Sequence, residues 1–329
     1  MKKILLHIGP HKTGSTYIQK RLYENRTALL KNNIYYPEID IGKQWGHIKL
    51  AQDIIKRDRV AIENFLSDID RYNNIIISGE VFWNFNSEDI SFFKSFLSDY
   101  CVEILFFKRN FIKTLISKWQ ESIKHGNVES WSESLLSHFL RPYESRILNC
   151  TKFLKNWDRI VKPCKLHILN YDAILENNGD IFYETLMSFK IKDIVCDTAK
   201  SDLINKSMQF PSVELVRNLN VALKKKNIHV TNNVLLLFIK IRRLSCDIKY
   251  IEEFIKNSSV HLNLNATWVC EKFEKLFFEC YPEVIKVKDS HINDMPYTLP
   301  NNSFIYDEIC YKKFINLVNK FNKKLISGI

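Results

Sequence analysis

Residues 4–16 read Ile4-Leu5-Leu6-His7-Ile8-Gly9-Pro10-His11-Lys12-Thr13-Gly14-Ser15-Thr16. The apolar run predicts a buried strand, and it passes directly into a loop bracketed by Gly9 and Gly14 that holds one lysine and a hydroxyl cluster. Ile18, Leu22 and Leu29 then recur at helical spacing, which predicts a helix leaving the loop, with a break near Asn25. A strand, a tight glycine loop and a helix start in succession make an anion cradle. The N–H groups of the turn and of the first helical turn point at one spot, where the helix dipole also favours negative charge. Lys12 supplies a point charge there, and Ser15 and Thr16 supply hydroxyl donors.

Gly9 and Gly14 hold the spacing of the nucleotide-binding pattern G-x-x-x-x-G-K-[ST], but Ser15 stands after the second glycine and the lysine has moved inside the loop to Lys12. Enzymes built on the unshifted pattern use that lysine for the outer phosphates and hold magnesium with a hydroxyl and a strand-end aspartate. No strand here ends in such an aspartate. The second strand signal, Ile75-Ile76-Ile77-Ser78, delivers Gly79 and Glu80, and the third, Glu103 to Phe107, delivers Lys108 and Arg109. The strand ends therefore carry a base and two cations.

Lys12-Thr13-Gly14-Ser15-Thr16 resembles the 5′-phosphosulfate loop, K-x-G-[ST]-[ST], of the sulfotransferases that use 3′-phosphoadenosine 5′-phosphosulfate (PAPS). Arg109 with Ser117 eight residues on is similar to that family's 3′-phosphate site. The stretch Trp157 to Ile174, with a strand over Lys165 to Leu169 and then Tyr171-Asp172, resembles its bacterial carbohydrate-modifying members, so the likeness covers roughly residues 1 to 225. It implies a P-loop NTPase-like sulfotransferase fold, a three-layer α/β/α arrangement around a central parallel sheet, with a helical C-terminal region. Two departures stand out. Phe111 occupies a place where many relatives carry proline, and the last third has no glycine-rich cofactor loop of the hormone and phenol sulfotransferase kind.

The periodicity agrees independently with an α/β fold. Ala61, Phe65, Leu66 and Ile69 predict a helix before the second strand; Ile90, Phe93, Phe96 and Leu97 follow it, and Ile112, Leu115, Ile116, Trp119 and Ile123 follow the third. Short apolar strands alternating with amphipathic helices argue for a parallel sheet covered on both faces, with ligands beyond the strands' carboxyl ends. After about residue 205 the strand signals fade. Val213 to Leu223, Val234 to Leu244, Trp268 to Cys280 and about Ile305 to Leu325 read as helices, around a polar loop from Lys286 to Asn302. The expected division is 1–205, the PAPS-binding core, and 206–329, a mostly helical extension packed on it. Trp119, Trp157 and Trp268 fall at core positions, and Lys108 reads as solvent-facing.

At 329 residues with 46% hydrophobic content the chain can form a full core, and its net charge of +11 suits an anionic cofactor or an acidic acceptor. A nucleic-acid partner is not expected, because the aromatic residues fall at core spacing instead of interleaving with a basic patch. Eight cysteines without a C-x-x-C pair read as reduced, mostly buried thiols. The apolar run after Lys2 and Lys3 breaks at His7, Gly9 and Pro10, too soon for a signal sequence, and no stretch is long enough for stable membrane insertion. A cytoplasmic protein is expected.

The resemblance assigns roles. Lys12 serves the leaving-group side; His11, Lys12, Thr13, Gly14, Ser15 and Thr16 hold the 5′-phosphosulfate; Arg109 and Ser117 hold the 3′-phosphate. Product adenosine 3′,5′-bisphosphate is neutralised by protein donors, and no metal is called for. Glu80, at a strand end, looks like the glutamate that deprotonates a sugar hydroxyl, and partial desolvation makes a carboxylate a better base. His47, in Trp45-Gly46-His47, is the competing base. Lys206 and Ser207 stand where a later loop returns to the cofactor, or simply at a helix start. The expected acceptor is a hydroxyl (or amine) of a carbohydrate, as on a bacterial cell-surface glycan. Two other classes stay open: a magnesium-dependent small-molecule or nucleotide kinase, and a non-catalytic glycan-binding protein of the same fold.

Overall fold

The strand read at Ile4 is an inner strand of a four-stranded parallel sheet. The computed structural model describes residues 2–38, 45–191, 208–262, 264, 267–284, 297–299 and 303–326. In chain order its elements are β1 (Lys2–His7), α1 (Ser15–Glu24), α2 (Arg26–Lys31), α3 (Ile48–Lys56), α4 (Arg59–Ile69), β2 (Asn74–Ser78), α5 (Ser87–Lys94) and β3 (Tyr100–Lys108). There follow α6 (Phe111–Lys124), α7 (Trp131–Leu140), α8 (Cys150–Val161), β4 (Lys165–Asn170), α9 (Tyr171–Glu176), α10 (Ile181–Ser188), α11 (Phe210–Lys224) and α12 (Asn232–Arg242). The last are α13 (Cys246–Asn257), β5 (Val260–Leu262), α14 (Trp268–Cys280), β6 (Tyr297–Leu299) and α15 (Glu308–Ile326).

Two compact units interleave along the chain. One comprises Met1–Asn110, Asn149–Ile204 and Glu274–Lys288; the other comprises Phe111–Leu148, Asn205–Phe273 and Asp289–Ile329. The division expected at 205/206 falls within 192–207, outside the described residues.

In the first unit the strand order is β2-β1-β3-β4, all parallel. The chain steps from β1 to one side for β2 and then to the other side for β3, which makes the β1/β3 boundary a topological switch point, the place beyond the strands' carboxyl ends where sheets of this kind bind ligands. Alternating side chains divide between two helical layers, as the period of a strand requires. Leu5, Ile76, Leu105 and Phe107 pack with Ile18 and Leu22 of α1, Leu29 of α2 and Phe182 and Leu186 of α10. On the other face Phe106 meets Trp83, Trp83 meets Phe153, and Phe85 stacks on Trp157 of α8. The expected break at Asn25 is present: α1 ends and α2 begins there.

The second unit is built around α11, buried along most of its length. Trp119 stacks on Phe210, the Arg217 guanidinium pairs with Glu214 and donates to the Val128 carbonyl, and the Asn220 amide donates to the carbonyls of Ile123 and Asn127. A short antiparallel pair, β5 with β6, occupies part of the region the sequence leaves irregular.

Three expectations are corrected. Cys101 and Cys164 form a disulfide, Cα atoms 5.9 Å apart, so not every thiol is reduced. The two lie 63 residues apart in sequence, and only the parallel pairing of β3 with β4 brings their strand starts together. Trp268 is 66% exposed because it sits two residues from buried Cys270, about 200° round the helix from the apolar face. Lys108 is buried and paired with Glu274. Among the described residues no helix is long and apolar enough to cross a membrane.

Leu105 is completely buried on the inner strand β3. Leu105→Ala is expected to destabilise the fold by about 2–5 kcal/mol in denaturant titrations, through lost burial plus an unfilled cavity; a loss well under 1 kcal/mol would contradict this packing.

Candidate functional site

Backbone bonding carries the sheet past the last residue of β1 into the loop. Ile8 donates to the Leu105 carbonyl, Phe107 donates to the Gly9 carbonyl, and Gly79 donates to the His7 carbonyl. The cradle is thus fixed to β3 on one side and to β2 on the other. Gly9 (φ 96°), Lys12 (φ 70°) and Gly14 (φ 77°) turn the chain through the left-handed region, where glycine carries no Cβ penalty. A Cβ at position 14 would also lie 2.2 Å from Ile181 Cδ1, so that terminal methyl would have to shift.

The hydroxyls divide. Thr13 is fully buried and donates to the Pro10 carbonyl at 2.7 Å, and buried Ser15 reaches the same carbonyl at 3.4 Å. These two expected ligand contacts brace the loop from inside, leaving Thr16, Lys12 and the backbone on the accessible side, with Lys12 and Thr16 half-buried. Helix α1 has no side-chain cap and no acidic residue in its first turn. Its amino end therefore keeps the uncompensated N–H groups and dipole that favour an anion.

At the end of β3 the Arg109 guanidinium donates through Nη1 to the Lys12 carbonyl and lies 5.1 Å from the Tyr171 ring centre. The next residue, Asn110, donates its N–H to Asp172 Oδ2 at 2.6 Å, which holds the turn. Arg109 Nε is buried and has no protein partner among the described residues. An orphaned guanidinium N–H of this kind is costly unless a ligand meets it. Ser117 lies on α6, in the second unit, about 9 Å along the axis from its first residue.

From β2, Glu80 opens a single 3-10 turn, Glu80–Asn84. A Cβ on Gly9 would sit 3.2 Å from Glu80 Cα, so the cradle's first glycine lets the carboxylate residue pack directly against the loop. Glu80 Oε2 accepts from the Gln19 amide at 2.8 Å, and Asn84 at the end of the same turn meets His11 Nε2 at 3.4 Å. His7 is fully buried beneath, with Nδ1 2.8 Å from the Ser78 hydroxyl. Burial pulls its pKa from 6.5 to about 4 against the opposing pull of Glu80, so His7 is neutral at ordinary pH. Burial, then the Glu80 charge, raises the Tyr36 phenol.

His47, expected as a competing base, is held against backbone groups. It is fully buried. Its Nδ1 accepts from the Ser78 N–H at 3.1 Å, which puts the ring proton on Nε2, 3.1 Å from the Pro37 carbonyl. Both nitrogens are committed to backbone, and its own N–H donates to the Ser78 carbonyl. Lys206 and Ser207 lie outside the described residues.

No protein-family model matches the chain, and no curated protein matches it. The first unit brings together Lys12, Thr13, Gly14, Ser15, Thr16, His11, Glu80 and Arg109. It adds Gln19, His7 and Tyr171, which sequence reasoning missed as site residues. Gln19 carried one usable signal: a polar residue four after Ser15 and three before Leu22, inside the apolar stripe of α1. A cavity of ≈ 360 Å³ bordered by Lys3, Asn74 and Lys190 lies at the opposite, amino end of the strands and takes no part in this constellation.

Gly14→Ala is expected to destabilise the fold by roughly 2–4 kcal/mol from left-handed strain and overpacking. Adding Ile181→Ala should recover only the overpacking share, so full recovery in denaturation experiments would rule out the strain. Because the His7 pKa is depressed on folding, its stabilising contribution is complete above pH 6.5 and is lost as pH falls from 6.5 towards 4. The loss amounts to about 3 kcal/mol. His7→Asn, which can keep a bond to Ser78, should flatten that part of the stability–pH curve; an unchanged slope would refute the assignment.

Proposed function

We propose that this protein is a sulfotransferase of the PAPS-dependent kind, moving a sulfuryl group to a hydroxyl of a carbohydrate acceptor, with the P-loop-like fold its opening motif resembles. The observation that carries the reading is the convergence at one switch point: Arg109 bonded to the Lys12 carbonyl from β3, and Glu80 packed on Gly9 from β2. A ligand with two separate anionic groups and a reacting centre matches a helix amino end, a second cation with an orphaned N–H, and a carboxylate.

When bound, the nucleotide would supply an activated sulfuryl group whose S–O bond to phosphate breaks as the acceptor oxygen bonds sulfur. The chain's own residues then have separable tasks. The amides of α1's first turn, with Thr16, hold the 5′ anionic end, and Lys12 counters charge developing on the departing phosphate oxygen. Arg109, its planar group backed by Tyr171, takes the 3′-phosphate, a task for which its fork suits better than lysine's point charge. Glu80 accepts the acceptor's proton. Net positive charge favours approach of anionic ligands.

Calorimetric titration without magnesium tests this directly. Adenosine 3′,5′-bisphosphate is expected to bind more tightly than ATP, and Lys12→Ala and Arg109→Ala should each weaken it on the order of 10–100-fold. Glu80→Gln should keep that affinity and lose sulfuryl transfer. Binding of ATP without binding of the bisphosphate would overturn the proposal in favour of a kinase.

A further inference from the structure

Helix α1 begins at the cradle, but its fifth residue reaches the base. Gln19 is 1% exposed, and its amide nitrogen donates to Glu80 Oε2 at 2.8 Å. Room for that amide is made by Gly46, where a Cβ would lie 2.6 Å from Gln19 Cδ, 2.7 Å from Nε2 and 2.8 Å from Oε1. Gly46 is in turn held in place by its neighbour His47, whose N–H donates to the Ser78 carbonyl, two residues before Glu80. The bond thus closes a circuit from β2 through the 46–47 segment and α1 back to the residue after β2.

We propose that Gln19 is a positioning residue for the Glu80 base, an inference that rests on the sulfuryl-transfer reading above. Its chemistry suits the task. A lysine or arginine in that place would pair with the carboxylate and weaken it as a proton acceptor, whereas a neutral amide fixes its orientation with a single bond. Among the described residues no hydrogen bond engages Oε1, so the second oxygen keeps its lone pairs for the acceptor hydroxyl. Because α1 also carries the anion-binding amides, one rigid helix fixes both the donor end and the base. In-line transfer requires those two to keep a constant relation.

Two readouts test the role. In the first, protein labelled with ¹³C at the glutamate side-chain carboxyl is titrated, the Glu80 resonance being identified by its absence in Glu80→Gln. Gln19→Met, which removes the donor at similar volume, is expected to shift that resonance, because the carboxyl loses the hydrogen bond it accepts at Oε2. Gln19→Glu, which keeps the shape and adds a like charge, should shift it further and covers the case in which Gln19→Met does not fold. In the second, release of adenosine 3′,5′-bisphosphate from PAPS is followed against pH, with water or a sugar as acceptor. Here kcat should fall on the order of 10-fold and the acid limb should move to higher pH, with bisphosphate affinity unchanged. A Glu80 resonance and an acid limb that stay in place in both variants would overturn the positioning role while leaving the sulfotransferase reading intact. Wild type that fails to bind the bisphosphate, with the resonance still moving, would overturn that reading and the role built on it.

Discussion

The arrangement depends on a few backbone hydrogen bonds made just past the end of β1. A parallel strand ordinarily surrenders its neighbours where its loop begins, yet here Ile8 and Gly9 stay bonded to β3 and Gly79 bonds back to His7. The loop is therefore an extension of the sheet, and its left-handed residues lie within a lattice of strand bonds. Preorganisation of this kind matters because fixed N–H dipoles stabilise an anion without first paying to reorient. The side chains that do engage the loop, Thr13 and Ser15, reinforce the same frame from within.

Around that frame the burial of polar groups follows a consistent logic. His7, His47, Ser78 and Tyr36 lie inside the first unit beneath Glu80, and each is tied into a hydrogen bond that fixes its orientation. Burial keeps His7 neutral, so it adds no competing charge near the Glu80 carboxylate. The contrast with the sheet's amino half is plain. There Glu103 is drawn upward by burial, but bonds from Lys3 and His167 outweigh this and hold it below its usual range, so the group is locked into a structural ion cluster.

The fold was legible from the N-terminal half because apolar strands of four to six residues ending in glycine or a charge leave few alternatives. The cradle was legible because glycine spacing reports backbone geometry directly. Two kinds of information were hidden. Long-range pairing, as between Cys101 and Cys164 or between Gln19 and Glu80, depends on strand order, which no local pattern encodes. The direction of a side chain is the other: Thr13 and Ser15 are right in type for binding an anion, yet they point at Pro10, and His47 is right in type for a base yet serves as a backbone clip.

The bond from Arg109 to the Lys12 carbonyl has a consequence for how substitutions in this region combine. A cation at the end of one strand grips the backbone of the residue that carries the other cation, so the two cations share a mechanical element. Losing the guanidinium relaxes the left-handed turn at Lys12, and reshaping that turn withdraws the arginine's anchor. Changes at the two positions should therefore fail to add, with the double variant losing less than the sum of the single ones.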